Sequence, residues 1–510
     1  MAELADARDL GSRGGNPVQV QVLSPAVQSL ALSAPSENPV DQPARPTSED
    51  SLANAPSDWH RLSWRERETL QQPSYPDRQR VEEVFEHLAS LPPLVTSWEI
   101  ETLRDQLAEA ALGNRFLLQG GDCAERFDEC NPDFITSKLK ILLQMSLVLV
   151  HGGGRRITRV GRFAGQYAKP RSANDEVRDG VTLPSYRGDN VNRPEFTPEH
   201  RVPDPERLLR GHEYSALTLN FIRALIDGGF ADLHHPEYWN LEFVEHSPLR
   251  AEYERMVESI GDSLRFMETV VGAQAGQINR VDFFTSHEAL LLLHESAMTR
   301  SVPRRTGWWN LGTHMPWLGV RTAEPDGGHV EYLRGIRNPL GLKVGPSSDL
   351  DKLVKVLDIL DPDDQPGRIT LIHRFGASNV STYLPALIDR IKDTGRTLLF
   401  SCDPMHGNTE TVKMMKGPGA GRQVKTRKFG HILAELEQSF EIHQRAGTIL
   451  GGVHFELTGD QVTECTGGAR GLEDDDLATS YRSHVDPRLN YEQSLEMAML
   501  IAGRMARGKA

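Results

Sequence analysis

Across 510 residues, 71 acidic side chains outweigh 57 basic ones for a formal net charge of −14, which argues against non-specific nucleic-acid binding and requires any anionic ligand to meet a locally basic pocket. The length suffices for a large core and one or a few domains; the 38% hydrophobic content reads as a water-soluble chain, with no unbroken apolar run near the roughly 18 residues of a membrane span. Cysteines at 123, 130, 402 and 465 are too few and too scattered for a disulfide framework, and the start "MAELADARDLGSRGG" has no apolar signal core, so the expectation is a cytoplasmic protein with free thiols.

Residues 1–57 are rich in Ser, Pro, Ala, Asp and Glu and contain no aromatic residue. Such a segment buries too little apolar surface to offset the entropy of ordering, so it is expected to be mostly disordered, with the period-two alternation of "VQVQVLSP" reading as a short strand. Residues 58–510 read as one large domain. Two helical patterns fill 76–112, broken by "LPPLVTSWE", with Ser97 as N-cap of the second and Glu101 close behind. Eight short apolar runs follow, at 115–120, 156–161, 281–286, 316–320, 340–345, 369–374, 397–402 and 451–457. Helical patterns occupy most gaps, at 133–150, 205–228, 348–361, 380–394 and 428–447, and 229–280 reads as a further helical insertion outside the repeating units. The helix at 133–150 has Pro132 in its first turn and Gly152–Gly154 at its close. Strands alternating with helices pair in parallel through right-handed crossovers, and eight such units predict an α/β fold, a closed (β/α)8 barrel.

In such a barrel the strand C-termini converge on the functional face. The residues there fall into two chemical classes. Arg162, Lys169, Arg171, Arg321, Lys343 and Arg374 form a cationic set, with Glu288 the carboxylate after the third run. Guanidinium forks grip phosphate and carboxylate bidentately, so this set fits one or two phosphorylated ligands; taken singly, each cation equally fits a solvated surface position. Cys123, His406 and Glu456 are ligand types that together suit a borderline divalent cation. No CxxC or HExxH spacing supports that reading, so Cys123 as a small buried residue and His406 as a turn residue stay open.

The stretches "LLQGGDCAE", "GRFAGQYAKPRS", "YRGDNVN", "NPLGLKVGP", "CDPMHGNT", "KTRKF", "TECTGGA" and "DPRLN" occur in order between Trp59 and Arg507, and together they resemble the type II (plant-type) 3-deoxy-D-arabino-heptulosonate 7-phosphate (DAHP) synthases. The resemblance implies a (β/α)8 barrel with extra helices that condenses phosphoenolpyruvate with erythrose 4-phosphate, the first step of the shikimate pathway. It implies a divalent metal, manganese or cobalt with zinc or iron as further options, held by Cys123, His406, Glu456 and Asp486; Asp486 comes from the motif alone. It assigns phosphoenolpyruvate to Arg162, Arg321, Lys343 and Arg374, with Lys343 as a candidate proton donor, and the aldose phosphate to Lys169, Pro170, Arg171 and Ser172. Homo-oligomeric assembly and a chorismate mutase partner are implied as well.

Three features depart from the family pattern. Val320 in "GVRT" stands where an acidic residue is usual, Arg337 stands where a small residue is typical, and the basic, Gly-rich loop "ETVKMMKGPGAGRQV" (410–424) is about eight residues longer, either a flap or a tolerated surface insertion. These departures, with the divergent "LIHRFGASN", keep two alternatives in view: a synthase acting on an amino or imino analogue of the aldose phosphate for 3-amino-5-hydroxybenzoate, and a non-catalytic regulatory paralogue. A role in a secondary-metabolite pathway is a further expectation.

Overall fold

A computed structural model describes residues 58–228, 245–247, 249–271, 281–415 and 421–507. The readings placed on 1–57, and on 229–244 and 272–280 of the insertion, lie outside the described residues.

All eight apolar runs form strands of one closed parallel barrel: β1 (Arg115–Gly121), β2 (Arg156–Arg162), β3 (Phe284–Glu288), β4 (Met315–Leu318), β5 (Leu340–Val344), β6 (Ile369–His373), β7 (Leu399–Cys402) and β8 (Leu450–Glu456). Each strand neighbours those before and after it in the chain, and β8 closes onto β1. The strands read as continuous apolar runs because they are buried on both faces, by the barrel interior and by the outer helices. β3 starts three residues later than the sequence reading, so Glu288 ends the strand instead of following it. Register levels Gly121 with Arg162 on one side and Glu456 on the other, which sets three functional segments at one height of the rim.

Helix α1 (Arg78–Ser90) precedes helix α2 (Ser97–Ala111). The N-cap of α2 is Thr96, not Ser97: Thr96 and Glu99 form a reciprocal capping box, and Ser97 is already helical. Leu103, Leu107 and Ala110 of α2 pack with Leu117, Val160, Phe284, Met315 and Leu399, so α2 plugs the N-terminal end of the barrel. Each fully buried leucine there contributes about 1.5–3 kcal/mol. The opposite, C-terminal end is left for chemistry.

Helix α3 (Pro132–Gly153) begins at Asn131, whose side chain caps the first turn ahead of Pro132, and ends at Gly154 in the left-handed conformation. Contrary to the expectation from unbroken apolar runs, α3 is long and apolar enough in composition to cross a membrane. Its most apolar window is 61% buried within this fold, against the barrel and the last helix (Tyr491–Arg507). Arg250–Val271 of the insertion is helical and packs on α3, outside the barrel. Short helices at Leu292–Met298 and Gly328–Arg334 fill gaps that periodicity left blank.

Candidate active site

The C-terminal rim encloses a cavity of about 450 Å³. Every site residue expected from the sequence lines it: Cys123, Arg162, Lys169, Pro170, Arg171, Ser172, Glu288, Arg321, Lys343, Arg374, His406, Glu456 and Asp486.

Cys123 leaves β1 through Gly121, whose φ is +146° and whose Cβ, if present, would lie 2.5 Å from the Phe163 ring. Only glycine fits that approach, and the chain turns there to carry the sulfur into the site. Sγ of Cys123 and carboxylate oxygens of Glu456 and Asp486 all lie within 4.8 Å of one another. His406 joins them through Nε2, 3.0 Å from Glu456 Oε1. Its Nδ1 faces Asp403, 2.7 Å from Oδ2, so a buried carboxylate orients the ring and leaves Nε2 directed at the donor group. Thiol, imidazole and two carboxylates fit a borderline divalent cation, and the lodging of the Lys169 ammonium against both Cys123 Sγ and Asp486 Oδ2 shows that the group attracts positive charge.

Burial works against the ionised Glu456, but His406, Arg427, Lys169 and Arg162 outweigh it and hold its carboxyl well below the ordinary range. Asp486 is also lowered: burial opposes ionisation, and Lys169 overrides it. Burial, reinforced by Glu456, pushes the Cys123 thiol up to about 12 against the pull of Lys169 and Arg162. A metal ion held by such a sulfur would displace its proton, which would link metal uptake to proton release.

The cationic set surrounds this group. Arg162 donates from Nη2 to Cys123 O and to Glu456 Oε1, both at 3.1 Å, while its guanidinium lies 5.2 Å from the Trp317 ring centre. Lys343 Nζ is 2.9 Å from Asp403 Oδ2; burial lowers its proton affinity, and Asp403 offsets part of that. Arg321 Nη2 donates to Ser172 Oγ at 2.9 Å. The guanidinium groups of Arg171 and Arg374 have no hydrogen-bond or ion-pair partner among the described residues, which leaves their forks available to an anion. Burial raises the Glu288 carboxyl against the pull of Lys343, Lys169, His406 and Arg321.

Sequence reasoning gave no role to several residues that the fold brings here. Asp403 bridges Lys343 and His406. Arg427 lies 2.7 Å from Glu456 Oε2, and Lys425 Nζ lies 2.8 Å from Asp486 Oδ1. Both basic residues come from the second strand of a hairpin, Thr409–Lys413 with Gln423–Arg427, whose strands take up the two ends of the 410–424 loop; 416–420 lie outside the described residues. All three residues fall inside the motifs "CDPMHGNT" and "KTRKF", and motif membership was the signal available for them. Beneath Cys123 and Asp486, Arg488 joins Asp122 at 2.7 Å and Glu464 at 2.9 Å, a buried ion network that ties the Cys123 and Asp486 segments together. Val320 lines the cavity as an apolar neighbour of Arg321, whereas Arg337 precedes β5 and lies toward the opposite end of the barrel. A second His–Glu group, His287, His294 and Glu295, is sealed in the core, with Asn310 donating to the same carboxylate.

With this geometry in hand, comparison with known proteins is specific. The model of the class-II DAHP synthetase family matches residues 59–502. Among curated proteins, the chain is similar to the phospho-2-dehydro-3-deoxyheptonate aldolase of Neurospora crassa, 45% identical over 89% of this chain and 96% of the relative. It is likewise similar to the protein of that name from Streptomyces coelicolor, 46% identical over 86% of this chain and 96% of the relative. The corresponding AroG protein of Mycolicibacterium smegmatis is 42% identical over 85% of this chain and 92% of the relative.

Proposed function

This chain belongs to the class-II DAHP synthetase family and has DAHP synthase as its activity, and from that premise we propose that the rim cavity condenses phosphoenolpyruvate with erythrose 4-phosphate and water to give DAHP and phosphate. The observation that carries the reading is Arg162: one guanidinium touches both the donor group, through Cys123 O and Glu456 Oε1, and the face of Trp317 in the cationic wall. A phosphoenolpyruvate held there lies directly beside the cation-binding residues.

In this reading Arg162, Arg321, Lys343 and Arg374 clamp the carboxylate and phosphate of phosphoenolpyruvate, fixing its enol carbon in a near-attack position. The segment Lys169–Ser172 grips the phosphate end of the aldose, with Pro170 shaping the turn and Glu288 as a further polar contact. Cys123, His406, Glu456 and Asp486 hold a divalent metal, manganese or cobalt, with zinc or iron as further options. When bound, that metal supplies Lewis acidity toward the aldehyde oxygen. Lys343 donates a proton during the condensation, and its lowered proton affinity favours that role. Water adds at the former enol centre and phosphate leaves, its charge met by the guanidinium wall. Residues 58–510 form the catalytic domain, and the family resemblance supports a cytoplasmic homo-oligomer with a chorismate mutase as partner.

Purified protein supplied with manganese or cobalt is expected to consume phosphoenolpyruvate and release phosphate only when erythrose 4-phosphate is present. Turnover confined to the amino or imino analogue would instead assign the chain to 3-amino-5-hydroxybenzoate synthesis. Binding of phosphoenolpyruvate without turnover of any aldehyde would make it a regulatory paralogue.

A further inference from the structure

The segment "TLQQPSYP" (69–76) lies outside both the barrel and the helices, yet two adjacent side-chain amides in it reach active-site loops. Gln71 makes a reciprocal pair with the backbone of Arg171, a hundred residues away: Arg171 N donates to Gln71 Oε1 at 2.9 Å, and Gln71 Nε2 donates to Arg171 O at 3.1 Å. Gln72 does the same for the turn after β3, donating to Leu290 O at 2.7 Å and accepting from Leu292 N at 3.2 Å.

Lys169–Ser172 belongs to no helix or strand. Among the described residues, the two bonds to Gln71 are the hydrogen bonds that the Arg171 backbone makes. On either side the loop is held by other means: Lys169 N donates to Arg187 O at 2.9 Å, and Ser172 Oγ accepts from Arg321. Arg187 in turn reaches back to Gln71 Oε1 at 3.3 Å, so the amide closes a small brace around the loop. Gln71 has φ +62°, in the left-handed region that favours glycine or asparagine. A long amide held in that conformation points to reach, not backbone preference, as the reason for glutamine here.

We propose that Gln71 is the positioning residue that fixes the Arg171 backbone and thereby sets affinity for the phosphate of the second substrate. The proposal rests on the reading of Lys169–Ser172 as the aldose-phosphate grip. A loop without internal hydrogen bonds keeps a guanidinium aimed only if its backbone is pinned from outside, and displacement by a fraction of an ångström degrades a charge-assisted, bidentate contact.

The test is steady-state kinetics on the full-length, metal-supplied enzyme carrying Gln71→Ala, Gln71→Asn or Arg171→Ala, with melting temperatures measured in parallel. Asparagine tolerates the left-handed backbone but is one methylene too short, so it separates reach from conformation. Both Gln71 variants are expected to raise KM for erythrose 4-phosphate about tenfold, with KM for phosphoenolpyruvate changed less than about twofold. Arg171→Ala is expected to raise the same KM. Wild-type KM for erythrose 4-phosphate in Gln71→Asn, alongside a raised KM in Arg171→Ala, overturns the role of Gln71 alone. A parallel rise in both KM values with a lowered melting temperature overturns it too, in favour of general stabilisation. An unchanged KM in Arg171→Ala overturns the loop assignment and the proposal with it.

Discussion

Asp403 is the residue on which the two halves of the site depend. It orients His406 through Nδ1 and neutralises Lys343, and it is wholly buried. Burial raises its carboxyl, but His406 and Lys343 outweigh that and keep it well below the ordinary range, so it is ionised while it does both jobs. Asp403→Asn removes the charge but keeps the shape. It is expected to weaken manganese binding about 10- to 100-fold in a calorimetric titration and to lower kcat with it. Wild-type affinity for manganese in that variant would contradict the orienting role. Asp403 also marks what was legible at this scale. Cys123, Lys343 and Glu456 were visible because each lies within an apolar run or just past its end. Asp403, Arg427 and Lys425 carry no periodic signature of their own, and beyond the local Asp403–His406 pair their roles depend on Lys343, Glu456 and Asp486, 29 to 61 positions away, which only the fold brings near.

At the scale of elements, the strands were legible because a strand buried on both faces is an unbroken apolar run, and eight of them in alternation with helices leave few topologies. Their ends were less legible. "VDFFTS" reads as a strand from Val281, but pairing with β2 begins at Phe284, opposite Val160. The helix Leu292–Met298 escaped notice since all of its residues are buried, and a helix covered on every side lacks the apolar stripe that periodicity detects. The hairpin that carries Lys425 and Arg427 was hidden in a basic, Gly-rich loop whose strands alternate polar with polar. Sheet register, which the sequence does not encode locally, is what brings Gly121, Arg162 and Glu456 to one level.

At the scale of the molecule, the interior holds several neutral histidines. Burial is the leading cause in each: His314, His329 and His443 are lowered from 6.5 to about 4, and His373 and His454 well below 6.5. Unfolding exposes them to water, so between pH 6.5 and about 4 the unfolded chain binds more protons than the folded one. Their contribution to stability is therefore complete above about 6.5 and falls away with pH below it, down to about 4 for His314, His329 and His443, at ~1.4 kcal/mol per pH unit for each such histidine. Urea unfolding midpoints are expected to fall steadily from pH 7 to pH 5; a flat profile would mean that these side chains are hydrated in the folded state. The same compactness gathers residues from the segment after β1, the β7 loop, β8 and the segment after it into one group at the rim, the cation site proposed above. Anomalous diffraction from a crystal of the manganese-loaded enzyme tests that shared site most directly. The predicted result is a single peak within about 2.5 Å of Cys123 Sγ, His406 Nε2 and carboxylate oxygens of Glu456 and Asp486, with the Lys169 ammonium moved off the sulfur. A peak elsewhere, or none at these four residues, would contradict it.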